Sequence, residues 1–427
     1  MNKPLPSPEP GASNTSARVP LTLRRGVSTF GIGVIGFMAA NLVPFMIIAL
    51  VDQHGLTPTE AGTVMTACLL GTAVSCLMTS RLSAGDGRYA VARAGLLMAA
   101  AGFGVAALVP STPIAIAGIV LGGLGGGGSI SASGAALAAL RNPNRMSGIS
   151  GLSNRAIVTV VLALIPLLGT GMVSAFGLLA ILALLFLGTT AWMPKALTVS
   201  RKVTFDAGTT PSSVPLRPAA SRRITIAGFS LLACFGLWAL GEDSLWAVAG
   251  SMGADQAGIG DQEIGLMLSA STAGGLLFGA AASYAGDRLG RTVPLVVLLL
   301  LGGSLKLASG LATDPTWYIV VIIAWNTVYA LAFMYVVSVA VALDVRGVWS
   351  AALSGTYLIG SAFSPLFGTF IAETLGYVPL TVILAAFSFL LLVPFVVISR
   401  IAVQAEKDAV AAALAAPHPQ FNQAAIV

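Results

Sequence analysis

Charge is what this chain has least of. Only 9% of its 427 residues are Asp, Glu, Lys or Arg, whereas soluble domains carry about 25%. Cysteine is scarce too: Cys68, Cys76 and Cys234 all lie inside apolar stretches, which excludes a disulfide framework and reads as small core residues. The two histidines, His54 and His418, stand far apart. No metal cluster and no nucleophile–base set can be assembled from them, so an enzyme is not expected, and neither is a cofactor. The first 20 residues are polar and rich in Pro and Ser, without the apolar core of a cleavable signal peptide. Alternating strands of barrel type are missing as well.

What is present is hydrocarbon. Apolar residues make up 56% of the chain, mean hydropathy is +0.91, and the apolar residues come in runs of roughly twenty, the length that crosses a bilayer as helix. The fold class expected is an all-α integral membrane protein. Twelve spans are expected, at 27–51, 61–80, 91–110, 113–140, 147–168 and 172–193, then 224–250, 262–285, 293–312, 316–342, 350–375 and 378–399. They divide the chain into a tail (1–25), a first six-helix bundle (26–193), a polar linker (194–223), a second six-helix bundle (224–399) and a C-terminal tail (400–427), helical over part of its length.

Charge placement orients the spans. With the N-terminus inside, the inner segments collect Arg24, Arg25, Arg81, Arg88, Arg93, Arg141, Arg145, the linker cluster, Arg288, Arg291, Arg346 and Arg400. The outer loops then hold only acids: Asp52, Glu60, Asp255, Asp261, Glu263, Asp314 and Glu373. The positive-inside rule places both termini in the cytoplasm of a cell inner or plasma membrane. The pI of about 9.5 thus reflects topology, and no nucleic-acid partner is expected.

Sliding the chain by 203 positions lays GLTPTEAGTVMTA from Gly55 over GIGDQEIGLMLSA from Gly258 without a gap. Asp52-Gln53 falls on Asp255-Gln256, and Gly87-Arg88 on Gly290-Arg291. Halves repeated in parallel are a transporter layout. Between spans eight and nine, Asp287-Arg288-Leu289-Gly290-Arg291 forms a compact charged turn. With these features the chain resembles the major facilitator superfamily, whose signature there is Gly-x-x-x-Asp-Arg/Lys-x-Gly-Arg. Ser283 replaces its first glycine, and the first-half copy keeps only Gly87 and Arg88. The resemblance implies two pseudo-symmetric six-helix bundles that rock about a central site, with Asp287, Arg288, Gly290, Arg291 and Arg88 as a cytoplasmic gate. Gly123 to Gly128, formally G-x-G-x-x-G, lies inside a span, where glycines serve close helix approach and no dinucleotide site can form.

Ionisable groups inside spans point to mechanism, because placing them there costs about 2.5–3.5 kcal/mol each. Glu242 and Asp243 fall near mid-depth of span seven and are the candidates for proton coupling. Trp238, Glu242 and Trp246 are spaced to share a face, setting a carboxylate between two indoles. Asn154 and Arg155 lie in span five, on a polar stripe with Gly148, Gly151 and Thr159. Arg155 could hold an anionic solute group or pair with Glu242 or Asp243. Asn41, Asn326 and Tyr357 complete the candidate solute-binding set, and Lys306 in span nine is expected to snorkel or to find an internal partner. The resulting expectation is proton-driven alternating access for a small organic solute, aromatic and carboxylate-bearing or zwitterionic, moved inward by symport in a monomer. Proton-coupled efflux of amphiphilic cations is the alternative. A non-transporting receptor on the same fold is disfavoured by the short loops and the mid-span charges.

Overall fold

The computed structural model describes residues 18–196, 222–285, 290–343 and 348–415, so most of the expected linker, Asp287 and Arg288 lie outside the described residues. Among the described residues, thirteen α-helices run in an up-and-down order. They are α1 (Leu23–Asn41), α2 (Val43–His54), α3 (Pro58–Ala84), α4 (Arg88–Leu108), α5 (Thr112–Ala138), α6 (Pro143–Leu168) and α7 (Leu178–Leu187) in the first half. The second half holds α8 (Arg222–Ala257), α9 (Asp261–Ala285), α10 (Thr292–Leu311), α11 (Pro315–Leu343), α12 (Val348–Leu375) and α13 (Tyr377–Ala415). No named strand occurs among the described residues; one isolated parallel bridge ties Val19 to Leu140.

Among the described residues, ten helices are long and apolar enough to cross a membrane, and α1 with α2 make an eleventh span if the pair, bent by 53°, counts as one. Of the twelve spans expected, ten or eleven are thus met among the described residues. The segment expected at 172–193 is a shorter apolar helix, Val173–Leu187, opened by a π-turn and followed by a short 3₁₀ turn at Thr190–Trp192. At 1.5 Å per residue it reaches about 22 Å, less than the roughly 30 Å of a hydrocarbon core. The bend in the first span has a local cause. Pro44 follows Leu42-Val43 and has no N–H to return to the preceding turn, so the helix breaks there.

Helix ends on the side away from the chain termini, here the far side, repeat the sequence offset in three dimensions. Glu60 accepts from the backbone N–H of Thr57, and Glu263, 203 positions on, accepts from that of Gly260, both at 2.8 Å. Each is a carboxylate at a helix N-terminus, where it satisfies an orphan donor and complements the dipole.

The two halves meet through the same repeated elements. Gly62 of α3 faces Pro365 and Thr369 of α12, and its repeat mate Gly265 of α9 faces Pro166 of α6. Thr66 Oγ1 accepts from the Leu366 N–H at 3.1 Å, while its mate Ser269 donates to the Thr159 carbonyl at 2.7 Å. Thr59 N–H to Glu373, Thr170 to Asp261 and the Trp246 indole to the Asn41 carbonyl also cross between halves. These bonds all lie at mid-depth or on the far side. One apolar core runs through both halves there, whereas the terminal side of the second half has a separate core around Phe235, Val336 and Phe395. On the terminal side, Gly148, Gly151 and Gly355 face open space, since a Cβ on any of them would meet nothing within 4 Å. The halves converge on the far side and part toward the termini.

Within the first half, α4 and α5 touch backbone to backbone. A Cβ on Gly102 would sit 2.4 Å from the Gly122 nitrogen, and one on Gly125 would sit 2.4 Å from the Ala99 nitrogen. The glycine run Gly123–Gly128 therefore serves close helix approach, against α3 as well: a Cβ on Gly123 would lie 2.2 Å from the Cys68 carbonyl oxygen.

Candidate functional site

Helix α8 runs unbroken past mid-depth and carries Glu242 and Asp243, consecutive residues that point to different neighbours. Glu242 is 3% exposed and is fully engaged. Lys306 of α10 donates to Oε1 at 2.7 Å and the Trp325 indole of α11 donates to Oε2 at 2.8 Å. Lys306, itself 0% exposed, also donates to Ser388 of α13 at 2.8 Å. Four helices thus meet on one ion pair inside the second half. The internal partner foreseen for Lys306 is Glu242. The indole on this carboxylate comes from α11, neither from Trp238 nor from Trp246, which corrects the shared-face expectation. Residues four apart drift by about 40° around a helix, and over two such steps the three side chains part. Trp238 stacks on Phe235 with ring centroids 5.7 Å apart and meets Tyr329 edge-on at 5.3 Å. Trp246 turns to the first half, to the carbonyl of Asn41 beside the break in the first span.

Asp243 faces the boundary between halves. Tyr329 of α11 donates to its Oδ1 at 2.9 Å, and the Tyr329 and Tyr357 hydroxyls lie 2.9 Å apart. Its other oxygen, Oδ2, is cut off from solvent and has no hydrogen-bond partner. The Ser361 and Tyr357 hydroxyls of α12 stand beside the carboxyl as further neutral donors, though neither closes a direct bond to Oδ2. Arg155 of α6, from the opposite half, is near enough to act on Asp243, Tyr329 and Tyr357 electrostatically. The Arg155 guanidinium crosses close to α9 because Gly275 leaves room: a Cβ there would lie 2.6 Å from Nη1. Arg155 closes no salt bridge with Glu242 or Asp243 in this conformation; the ion pairs among the described residues are Lys306–Glu242 and Arg291–Glu406. Two further polar atoms in this region lack partners, Asn154 Oδ1 and the buried Trp238 indole N–H. Phe235, Phe333 and Tyr357 pack against one another beside them, with centroids 5.2–5.8 Å apart. A cation, an anion, an amide and an aromatic wall therefore flank the boundary where the halves begin to part.

The remaining candidates have settled partners. Asn41 donates to the Phe37 carbonyl and Asn326 to Ser271, both helix-to-helix or intrahelical bonds at 2.9 and 3.0 Å. Arg88 is 2% exposed and donates to the carbonyls of Ser83, Pro194 and Lys195. Its repeat mate Arg291 donates to Ser338 and pairs with Glu406 on the extension of α13. Each arginine ties the end of its own half together. Gly290 precedes Arg291 with φ +65°, a left-handed turn position that suits glycine.

Tyr329, Trp325 and Ser388 were not singled out in the sequence. Lys306 offered a signal for its anion alone, Glu242. A cation in mid-span demands an anion, and span seven holds the only acids at that depth. Tyr329 and Trp325 sit one turn apart on α11, and their rings stack at 6.2 Å, a periodicity lost among the many apolar residues of that helix.

The sequence model of the Major Facilitator Superfamily matches residues 29–241. No curated protein sequence matches the chain. Among solved structures, the human organic anion transporter MFSD10 (TETRAN) is 15% identical, with a TM-score of 0.64 over 87% of this chain and 98% of that one. A POT family transporter in complex with 5-aminolevulinic acid is 13% identical, at TM-score 0.71 over 91% and 99%. The nucleoside transporter NupG, solved in a mutant form, is 12% identical, at 0.64 over 88% and 100%.

Proposed function

This chain belongs to the major facilitator superfamily, a family of multi-pass membrane transporters rather than enzymes, and we propose on that footing that it is a proton-coupled secondary transporter of a small organic solute. The observation that carries the reading is Asp243. It keeps one unpartnered oxygen at the meeting of the halves and faces Arg155 from the other side, while the adjacent Glu242 is committed to Lys306. A carboxylate held in low dielectric by neutral donors can gain and lose a proton without breaking an ion pair. Arg155, whose guanidinium makes no hydrogen bond to a described residue, supplies the forked donor set that a solute carboxylate fits. Asn154 Oδ1 and the ring wall of Trp238, Phe333 and Tyr357 suit an ammonium and an apolar ring. The favoured solute is therefore aromatic and carboxylate-bearing or zwitterionic, taken up by symport.

Orientation follows from charge. Arg81, Arg88, Arg93, Arg141, Arg145, Arg291 and Arg400 gather toward the terminal side. Asp52, Glu60, Asp255, Asp261, Glu263, Asp314 and Glu373 gather toward the far side, which holds no Lys or Arg among the described residues, so the termini are assigned to the cytoplasm of the cell membrane. The conformation described is then inward-open, with the outer side sealed by the α3–α12 and α6–α9 crossings. Alternating access consists of parting these crossings while the terminal side closes, with one monomer sufficient. The aromatic surroundings of Asp243 also suit an amphiphilic cation, which keeps proton-coupled efflux as the second reading.

The test uses purified protein in liposomes enclosing a pH-sensitive dye, with phenylalanine, 5-aminolevulinic acid, benzoate and tetraphenylphosphonium added in turn to wild type and Asp243→Asn. Internal acidification on adding one of the acids, lost in Asp243→Asn, is the expected result. Alkalinisation with tetraphenylphosphonium turns the reading to antiport. Proton movement unchanged in Asp243→Asn removes Asp243 from the mechanism.

A further inference from the structure

We infer that Tyr357 and Tyr329 form a directional proton relay that charges Asp243 from the cleft between the halves. The inference rests on the reading of Asp243 as the proton-carrying group. Asp243 Oδ2 has no contact with solvent and Oδ1 is covered by the Tyr329 hydroxyl, so water does not reach the unpartnered oxygen directly. A phenol has a single proton to give. Tyr329 spends that proton on Asp243 Oδ1, so in the bond between the two phenols Tyr357 is the donor and Tyr329 the acceptor. Both O–H groups therefore point toward the carboxylate.

That polarity allows one concerted step. A hydronium at the cleft gives a proton to the Tyr357 oxygen, Tyr357 passes its own proton to the Tyr329 oxygen, and Tyr329 passes its own to Asp243. One O–H bond forms and one breaks at each phenol, the carboxylate becomes a carboxylic acid, and one water is left behind. Tyr329 is buried at 8% exposure and its ring is fixed between Trp238 and Trp325, whereas Tyr357 is only half-buried. Tyr357 is thus the outer end of the chain and Asp243 the inner one.

The groups facing Asp243 are Tyr329 of α11, Tyr357 and Ser361 of α12, Glu242 on its own helix and Arg155 of α6. Lys306 is held by Glu242 and Ser388. Arg155, the cation beside the outer end of the relay, opposes the approach of a proton. An anionic solute group on Arg155 cancels that opposition, so solute binding favours protonation of Asp243 and the two move together.

The relay can be tested without knowing the solute, using the proton as probe. Full-length protein in lipid nanodiscs is given a light-triggered pH drop, and the protonated carboxyl band is followed by time-resolved infrared spectroscopy. Wild type is expected to show a band that Asp243→Asn lacks. Tyr357→Phe keeps the Tyr329–Asp243 bond, so the final extent of protonation should stay while its rate falls at least about tenfold, or ~1.4 kcal/mol of barrier. Tyr329→Phe should slow it as much or more. Absence of an Asp243-dependent band refutes the reading beneath the relay. A band that rises in Tyr357→Phe and Tyr329→Phe as fast as in wild type overturns the relay and leaves Asp243 in place.

Discussion

Removing one member of the Lys306–Glu242 pair should damage the protein far more than removing both charges together. In Lys306→Met the carboxylate of Glu242, 3% exposed, keeps only the neutral Trp325 donor, while the space of the lysine stem stays filled. An uncompensated buried charge of this kind costs about 3–5 kcal/mol. Glu242→Gln has the mirror defect: the amide still accepts from Trp325, but the Lys306 ammonium, 0% exposed, retains only the Ser388 hydroxyl. In the double variant Glu242→Gln, Lys306→Met the shape is kept and both charges are gone, a change that elsewhere is neutral or stabilising by about 1–4 kcal/mol. The two single losses and the near-neutral double therefore leave a coupling of several kcal/mol. Chemical unfolding of the four proteins in detergent micelles, followed by the fluorescence of the nearby indoles, measures this cycle. Additive losses, or a Lys306→Met single variant as stable as the double within about 0.5 kcal/mol, would refute the argument that the pair is a mutually dependent buried unit. The double variant should also keep proton-driven uptake, because the coupling role is assigned to Asp243.

Gly62→Val and Gly265→Val place side chains where even a Cβ comes within 2.1 Å of Thr369 Oγ1 or 2.0 Å of Pro166 Cγ. Overpacking costs of about 1–3 kcal/mol should shift the conformers roughly 5- to 150-fold away from the far-side-closed form. The shift is readable as lower thiol-reagent labelling of a cysteine introduced at Gly355; unchanged labelling counts against the crossing as a gate. Arg155→Lys should lower uptake of whichever acid passes the liposome panel by about tenfold, losing the forked donor set worth ~1.4 kcal/mol, while the Asp243 infrared band persists. Uptake equal to wild type removes Arg155 from the solute site. Trp325→Phe deletes one hydrogen bond to a charged acceptor and should lower unfolding free energy by about 1.5–3 kcal/mol, with a loss under about 0.5 kcal/mol contradicting the reading.

Much of the fold was open to reading because lipid imposes long helices and because charge is so rare that each residue carries topological information. The offset of 203 positions is matched by the placement of Glu60 and Glu263, Thr66 and Ser269, and Gly62 and Gly265. The sixth segment misled for a simple reason: hydropathy counts apolar residues, and a π-turn followed by a 3₁₀ turn is equally apolar while shortening the straight helix. At the site, depth along a span predicted that Glu242, Asp243 and Arg155 were internal. It did not reveal which way each side chain turned. Consecutive residues on a helix differ by about 100°, so Glu242 and Asp243 enter unrelated environments, and a partner such as Tyr329 is set by packing between α8 and α11 rather than by sequence separation. Arg88 and Arg291, expected in a gate between halves, bind acceptors within their own halves, a choice made by the ends of α7 and α13.

The seam between α4 and α5 bears on how such a chain can diverge. At Gly102, Gly122 and Gly125 there is no layer of side chains to exchange, and any residue larger than glycine drives its Cβ into a backbone atom or a ring of the facing helix. These positions are closed to substitution whatever solute is carried. Novelty in a lineage sharing this seam must accumulate elsewhere, in α6, α8, α11 and α12, whose inward surfaces are built of replaceable aromatic and polar groups. The fixed part of the first half is thus the α4–α5 seam itself, while its α6 shares with α8, α11 and α12 the surfaces open to exchange.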